Sequence, residues 1–305
     1  MASSPRQKAP RTVRFLPKTH VIPTESSWNT SELYEPKMEQ IVLETFPGNQ
    51  VTDAMLGEAA KLFNENYGVW GKRSHSPGKP VKLSGHRLRE QYLPNSAATS
   101  YVRVTVDGNL AGNAFACRWK HGATSICWVT QLVVDRNFRE RGLASALLRT
   151  IGSGTDEIYG IMSSHPAACM AAASSYGSKH SLLHDNKQCM VLTITVGIEK
   201  VSLDLIKRNA KAVMEASPIS YIKDAKLCGT LFNPEDSTGL VCGVDTGFFV
   251  DHEEPLEVLG TVRQDFEWPL GDLLEGHEYL LILPGKNRRS RSSSSSKSKK
   301  DVSSR

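Results

Sequence analysis

Along the first half of the chain, apolar and polar positions fall into short period-two runs broken by helical stretches. Ile41-Val42-Leu43-Glu44-Thr45-Phe46 predicts a strand stopped by Pro47-Gly48, and Thr52 stands where it can cap a helix over residues 53–63. Residues 70–81, rich in Gly, Pro, Lys and Ser, predict a loop, and residues 83–92 a second helix with a basic face. Tyr101 to Val106 alternates as a strand does, Asp107-Gly108 supplies a hairpin turn, and residues 111–119 and 125–134 form another strand pair about Lys120-His121-Gly122.

After Val134 the period changes. Leu143, Leu147, Leu148 and Ile151 share one helical face before Gly152 and Gly154 end it. Residues 158–164 predict a strand and 167–176 a helix of small residues. Between 191 and 225 the pattern gives a strand and then a helical stripe of Leu203, Ile206, Ala210 and Val213, with Ser217-Pro218 as the cap and first position of a short helix. Residues 240–250 and 278–283 predict two closing strands, and Gly285 ends the apolar pattern.

Composition changes this picture mainly at the ends. The 305 residues are 39% hydrophobic and 23% charged, enough for a sizeable core in one large domain or two small ones. Residues 1–24 carry five Lys/Arg and no acid, and residues 286–305 carry eight Lys/Arg and one Asp. The net +5 therefore sits on the ends and the segment between them is net acidic. A nucleic-acid-binding core would need the opposite distribution, so none is expected. Residues 1–24 are expected to be a disordered basic tail, because Pro5, Pro10, Pro17 and Pro23 break any long targeting helix. The Arg/Ser/Lys run of 286–305 cannot bury a core and is expected to be disordered as well.

Six cysteines without a C-x-x-C pair point to reduced thiols rather than a metal site, and no apolar run reaches the ~20 residues of a bilayer span. The expectation is a soluble intracellular protein, cytoplasmic or nuclear, with no membrane partner and no metal.

The segment with the most chemistry is Gln131-Leu132-Val133-Val134-Asp135-Arg136-Asn137-Phe138-Arg139-Glu140-Arg141-Gly142-Leu143-Ala144, a buried strand, a tight loop and a helix start. A diphosphate needs several donors converging on a small volume, and the unpaired N–H groups of a helix N-terminus supply them with a favourable dipole. Gly142 and Ala144 let the backbone come close, and Arg139 or Arg141 can add a charge-assisted bond. Arg139 to Ala144 resembles the acetyl-CoA-binding signature of the GCN5-related N-acetyltransferase (GNAT) family: Arg or Gln, two variable residues, Gly, one variable residue, then Gly or Ala. The apolar strand before it, Phe138 beside it and Leu147-Leu148 after it extend the likeness.

The resemblance implies an α/β (α+β) fold with a mixed, mostly antiparallel central sheet flanked by helices, over residues 36–285, with a helical insertion at about 191–225. It implies a coenzyme A thioester, acetyl-CoA, as acyl donor, bound by Leu132, Val133, Val134, Arg139, Glu140, Arg141, Gly142, Leu143 and Ala144. The acceptor is an amine of unknown identity, a small molecule or a protein group, attacking directly in a ternary complex. The family's strand-then-helix unit after the signature carries an Ala and, four residues later, a Tyr; Ala172 and Tyr176 have that spacing, which implies Tyr176 as the acid that protonates the leaving thiolate. Where the family often has Asn at the start of this helix, the chain has His165-Pro166-Ala167-Ala168-Cys169. Many members also hold a carboxylate on the strand before the signature as general base. Residues 125–134 have none, leaving Asp251, His252, Glu253 and Glu254 as candidates. A non-catalytic acyl-CoA-binding module remains the alternative, as does an RNA-associated protein using its Arg/Ser tail.

Overall fold

The computed structural model describes residues 11–13, 39–94, 97–152, 155–177 and 197–285. They build one nine-stranded mixed sheet in the order β1-β2-β3-β4-β5-β6-β9-β8-β7. The strands are β1 (Arg11–Val13), β2 (Ile41–Pro47), β3 (Ala98–Val106), β4 (Asn109–His121), β5 (Thr124–Val134), β6 (Ile158–Ser163), β7 (Lys226–Cys228), β8 (Gly243–Asp245) and β9 (His277–Pro284). Every neighbouring pair is antiparallel except β5 and β6. The expected architecture is therefore the observed one: a mostly antiparallel sheet with helices on its faces.

The helices are α1 (Asp53–Asn66), α2 (Gly85–Tyr92), α3 (Leu143–Ile151), α4 (Pro166–Tyr176), α5 (Leu203–Glu215), α6 (Ser220–Asp224) and α7 (Glu253–Asp265). Thr52 caps α1 as its position in the sequence predicts, accepting from the Met55 N–H at 3.2 Å. Side chains alternate across a strand, so consecutive residues feed opposite layers. Tyr101 joins Phe115, Leu56, Ala59 and Leu88 under α1 and α2, whereas Val102 and Val104 join Leu143 and Leu147 on the α3 side. Leu147 and Leu148 are fully buried, each contributing roughly 1.5–3 kcal/mol of transfer free energy. On the opposite face, beside α5, β5 lays Trp128 across β6, and only a glycine fits: a Cβ at Gly160 would run into the Trp128 ring.

Three expectations change. Arg11–Val13 pairs with β2, so the segment expected to be a basic tail contributes an edge strand; the rest of that tail, like residues 286–305, lies outside the described residues. The strand expected over 240–250 shrinks to Gly243–Asp245, followed by an unforeseen helix, α7. Asp251-His252-Glu253-Glu254-Pro255 looks like a charged loop in sequence, yet acids favour a helix N-terminus and a proline near it loses no intrahelical bond. Leu259 and Val262 are the buried face of α7. The strand expected just after residue 191 falls outside the described residues. Cys117, Cys127, Cys169, Cys228 and Cys242 are free thiols. Among the described residues there is no metal-ligating cluster, and no helix is long and apolar enough to cross a membrane.

Candidate active site

β5 and β6 pair only where residues 126–129 face 158–161; beyond that point β5 stays with β4, β6 stays with β9, and the sheet parts. The parting coincides with an irregularity. Opposite Phe115 and Ala116 stand Gln131 and Val129, so Thr130 is an extra residue that bulges from the ladder. The 2.9 Å bond from the Asp135 N–H to Ala111 O fixes the phase of the ladder that follows. Val133 turns its N–H and C=O towards β4, while Leu132 and Val134 turn theirs into the gap. Thr130 O accepts from the Tyr221 hydroxyl at 3.1 Å and Val134 O from Arg139 Nε at 3.4 Å. Between them, the Leu132 amide faces the gap without a partner among the described residues. Of the three strand residues expected to orient the thioester, Leu132 and Val134 turn their backbone groups into the gap, the Val134 carbonyl being taken by Arg139. Val133 does not, because its backbone belongs to the sheet.

The gap opens onto the loop before α3. Asp135 Oδ1 caps a short turn through the Asn137 N–H at 2.8 Å, and the chain then passes two left-handed residues, Glu140 (φ 62°) and Gly142 (φ 75°). Gly142 is the N-cap of α3, and nothing lies within 4 Å of where its Cβ would be. No backbone N–H from Glu140 to Ser145 has a partner among the described residues. Unpaired donors, the positive end of a helix dipole and open space at Gly142 are what a diphosphate requires, and the residues present fit it.

The two arginines divide. Arg139 is spent within the protein: beyond Val134 O it donates to Asn66 O at 2.8 Å and pairs with Glu254 of α7. His165 Nε2 lies 3.5 Å from the same carboxylate, and its Nδ1 accepts from the Ala167 N–H to cap α4. Burial alone would raise the Glu254 pKa, but Arg139 and His165 outweigh it and hold the group below the usual carboxylate range. His165 is shifted down, by burial first and by Arg139 as well, against the pull of Glu254. Arg141 is exposed, pairs with Glu39 at 3.0 Å and lies over the Phe138 ring.

Tyr176, expected as the acid, is buried at the end of α4. It ends α4 level with Tyr159, on which it stacks with ring centroids 4.1 Å apart, where β5 and β6 are still paired. Its ring presses on Gly152 at the far end of α3, and its hydroxyl is buried without a partner. Burial drives its pKa well up, with Cys127 and Tyr159 adding to it. The group therefore sits where β5 and β6 are still paired, buried between Tyr159 and Gly152. Of the candidate bases, Asp251 caps the Glu253 N–H at 2.9 Å, His252 is buried at the start of α7 and shifted down by burial, and Glu254 is tied to Arg139.

A different carboxylate stands one residue beyond the last β6–β9 pair, Ser163 with Tyr279. Glu278, second residue of β9, keeps part of its surface accessible although it is deep enough for burial to raise its pKa to about 7. It lies within electrostatic reach of Tyr67, Tyr92 and Tyr221. The sequence signal was one acid opening an otherwise apolar strand; only the packing of α1, α2 and α6 over it gives that signal a meaning.

Residues 62–151 match the model of the Acetyltransferase (GNAT) family. No curated protein matches the chain. Among solved structures, the ribosomal-protein-S18-alanine N-acetyltransferase of Escherichia coli is similar at 13% identity and TM-score 0.32, over 45% of this chain and 76% of that one. The GNAT domain of S. lividans PAT is similar at 14% identity and TM-score 0.34, over 47% and 85%. A GNAT-family acetyltransferase from Streptococcus pneumoniae is similar at 16% and 0.30, over 42% and 80%.

Proposed function

With a GNAT-family acetyltransferase domain at residues 62–151 as the premise, we propose that the chain is an acetyl-CoA-dependent N-acetyltransferase acting by direct attack of an amine in a ternary complex. The observation that supports this best is the parting of β5 from β6 directly beside the open N-terminus of α3. The amides from Glu140 to Ala144 would hold the diphosphate, with Arg141 as the exposed cation. The gap-facing amide of Leu132 would pair with the amide-containing arm of the donor as one strand pairs with another. Gly142 keeps the approach clear. The acyl group then lies between the α3–α4 face of the sheet and the face carrying α1, α2 and α6, so an amine can reach the thioester carbon from the side opposite the donor. Such placement turns a bimolecular attack into a local one.

Calorimetry with acetyl-CoA, followed by measurement of coenzyme A release across a panel of amines, tests the reading. Binding with release is the expected result. Binding with no release on any amine would make the chain a non-catalytic acyl-CoA-binding module, and no binding would remove the assignment altogether.

A further inference from the structure

On the face of the sheet away from α3 and α4, the parting of β5 and β6 is roofed by aromatic rings from separate elements. Tyr67 ends α1, Tyr92 ends α2, Tyr221 belongs to α6, and Phe248 follows β8. Tyr67 and Phe248 have centroids 6.1 Å apart, and Tyr92 and Tyr221 meet edge to face at 6.2 Å. All four rings are half-buried. Beside them lie Gln131 of β5, buried and within reach of the Tyr92 hydroxyl, and Glu278 of β9. Among the described residues, Glu278 has no Lys, Arg or His within ion-pair distance. Its charge raises the pKa of all three tyrosines. A deep carboxylate without a cation is expensive to keep unless something positive comes to it.

We infer that this aromatic chamber is the acceptor site, that it takes a primary monoamine carried on an apolar or aromatic arm, and that Glu278 is the general base. The inference rests on the acetyltransferase reading above. Ring faces attract a single ammonium and shield the arm attached to it. A polyamine or an aminoglycoside would bring further charges for which the chamber has no carboxylate. Glu278 takes one proton from the ammonium and passes it to solvent. The neutral nitrogen attacks the thioester carbonyl, a C–N bond forms, and the C–S bond breaks. The second proton lost by nitrogen goes to the departing thiolate, giving the N-acetyl amide and coenzyme A.

Around Glu278 stand Tyr67 at the end of α1, Tyr92 from α2, Tyr221 from α6, Cys169 from α4 and Thr246 after β8. Burial raises the three phenols, Tyr92 to about 12, and raises the Cys169 thiol, so all stay neutral near pH 7. His277, one residue before, points to the other face of the strand and bonds Glu275 O. A rising limb of kcat/KM near pH 7 therefore belongs to Glu278.

The test compares the full chain with Glu278→Gln and Glu278→Asp, using acetyl-CoA with hexylamine, phenethylamine, a lysine-containing peptide, spermidine and tobramycin. Expected are turnover of the monoamines above spermidine and tobramycin, loss of the limb and about 10²–10⁴-fold of kcat in Glu278→Gln, partial rescue in Glu278→Asp, and unchanged acetyl-CoA affinity in both. Turnover of the peptide in place of the free amines overturns the monoamine acceptor. Retention of rate and pH limb by a Glu278→Gln variant, or preference for spermidine or tobramycin, overturns the inference while leaving the acetyltransferase reading intact. Failure of the wild-type chain to bind acetyl-CoA overturns both.

Discussion

Glu254, at the start of α7, closes an ion pair with Arg139 across 115 positions of sequence and so ties the last helix to the loop before α3. Three nitrogens of Arg139 are engaged at once, by Val134 O, Asn66 O and Glu254. The loop that would hold a diphosphate is thus braced from behind. Arg139→Ala should lower stability by about 1 kcal/mol, less than is usual for bonds to a charged group because solvent reaches both partners. The Glu254 pKa is depressed in the fold, so its contribution is present above the ordinary carboxylate pKa and is lost as pH falls through the lower folded value. Urea melts between pH 7 and pH 3 should show wild type losing more than Arg139→Ala; parallel losses would mean that the pair is uncoupled.

Gly142 combines a left-handed φ of 75° with empty space where a Cβ would stand. Gly142→Ala should cost about 1 kcal/mol through the backbone alone. Gly142→Asp adds a negative charge facing the amides of α3 and should abolish acetyl-CoA binding in a protein that still melts cooperatively. Unchanged affinity by calorimetry in a folded Gly142→Asp variant would sink the diphosphate assignment.

Glu278 behaves in the opposite sense to Glu254. Burial raises its pKa in the fold to about 7, so between the ordinary carboxylate value and pH 7 the native state holds a proton the unfolded chain has released. Stability must fall as pH rises through that window. Glu278→Gln should remove the fall and stabilise the protein at pH 8 by on the order of 1–3 kcal/mol. Denaturation midpoints at pH 5 and pH 8 measure it; a variant with the same pH slope as wild type would place the Glu278 carboxyl in water.

Tyr176 buries a hydroxyl that has no partner, and leaving such a group unpaired costs about 1–3 kcal/mol. Tyr176→Phe removes the hydroxyl and keeps the ring on Tyr159, so the melting temperature should hold or rise and kcat should stay within about twofold of wild type, since less than ~0.5 kcal/mol of barrier is at stake. A loss of 10²-fold or more, at unchanged acetyl-CoA affinity, would instead restore Tyr176 as the proton donor to the thiolate.

Much of this protein is local and was legible in the chain. Period-two runs with Asp107-Gly108 and Lys120-His121-Gly122 between them specify β3, β4 and β5, because side-chain alternation and turn chemistry depend on neighbours in sequence. The helical stripe of Leu143, Leu147, Leu148 and Ile151 specifies α3, and the residues from Arg139 to Ala144 point to a diphosphate site because helix-end amides need only their own turn of chain. Tertiary packing decided the rest. It consumed Arg139 in a brace to Glu254, set Val133 into the ladder and Leu132 into the gap by the phase of one bond to Ala111, and turned Tyr176 inward onto Tyr159. It also made Glu278 distinctive, since a carboxylate acquires a raised pKa and an aromatic roof only when α1, α2, α6 and β9 converge on it, and no stretch of sequence holds those elements together.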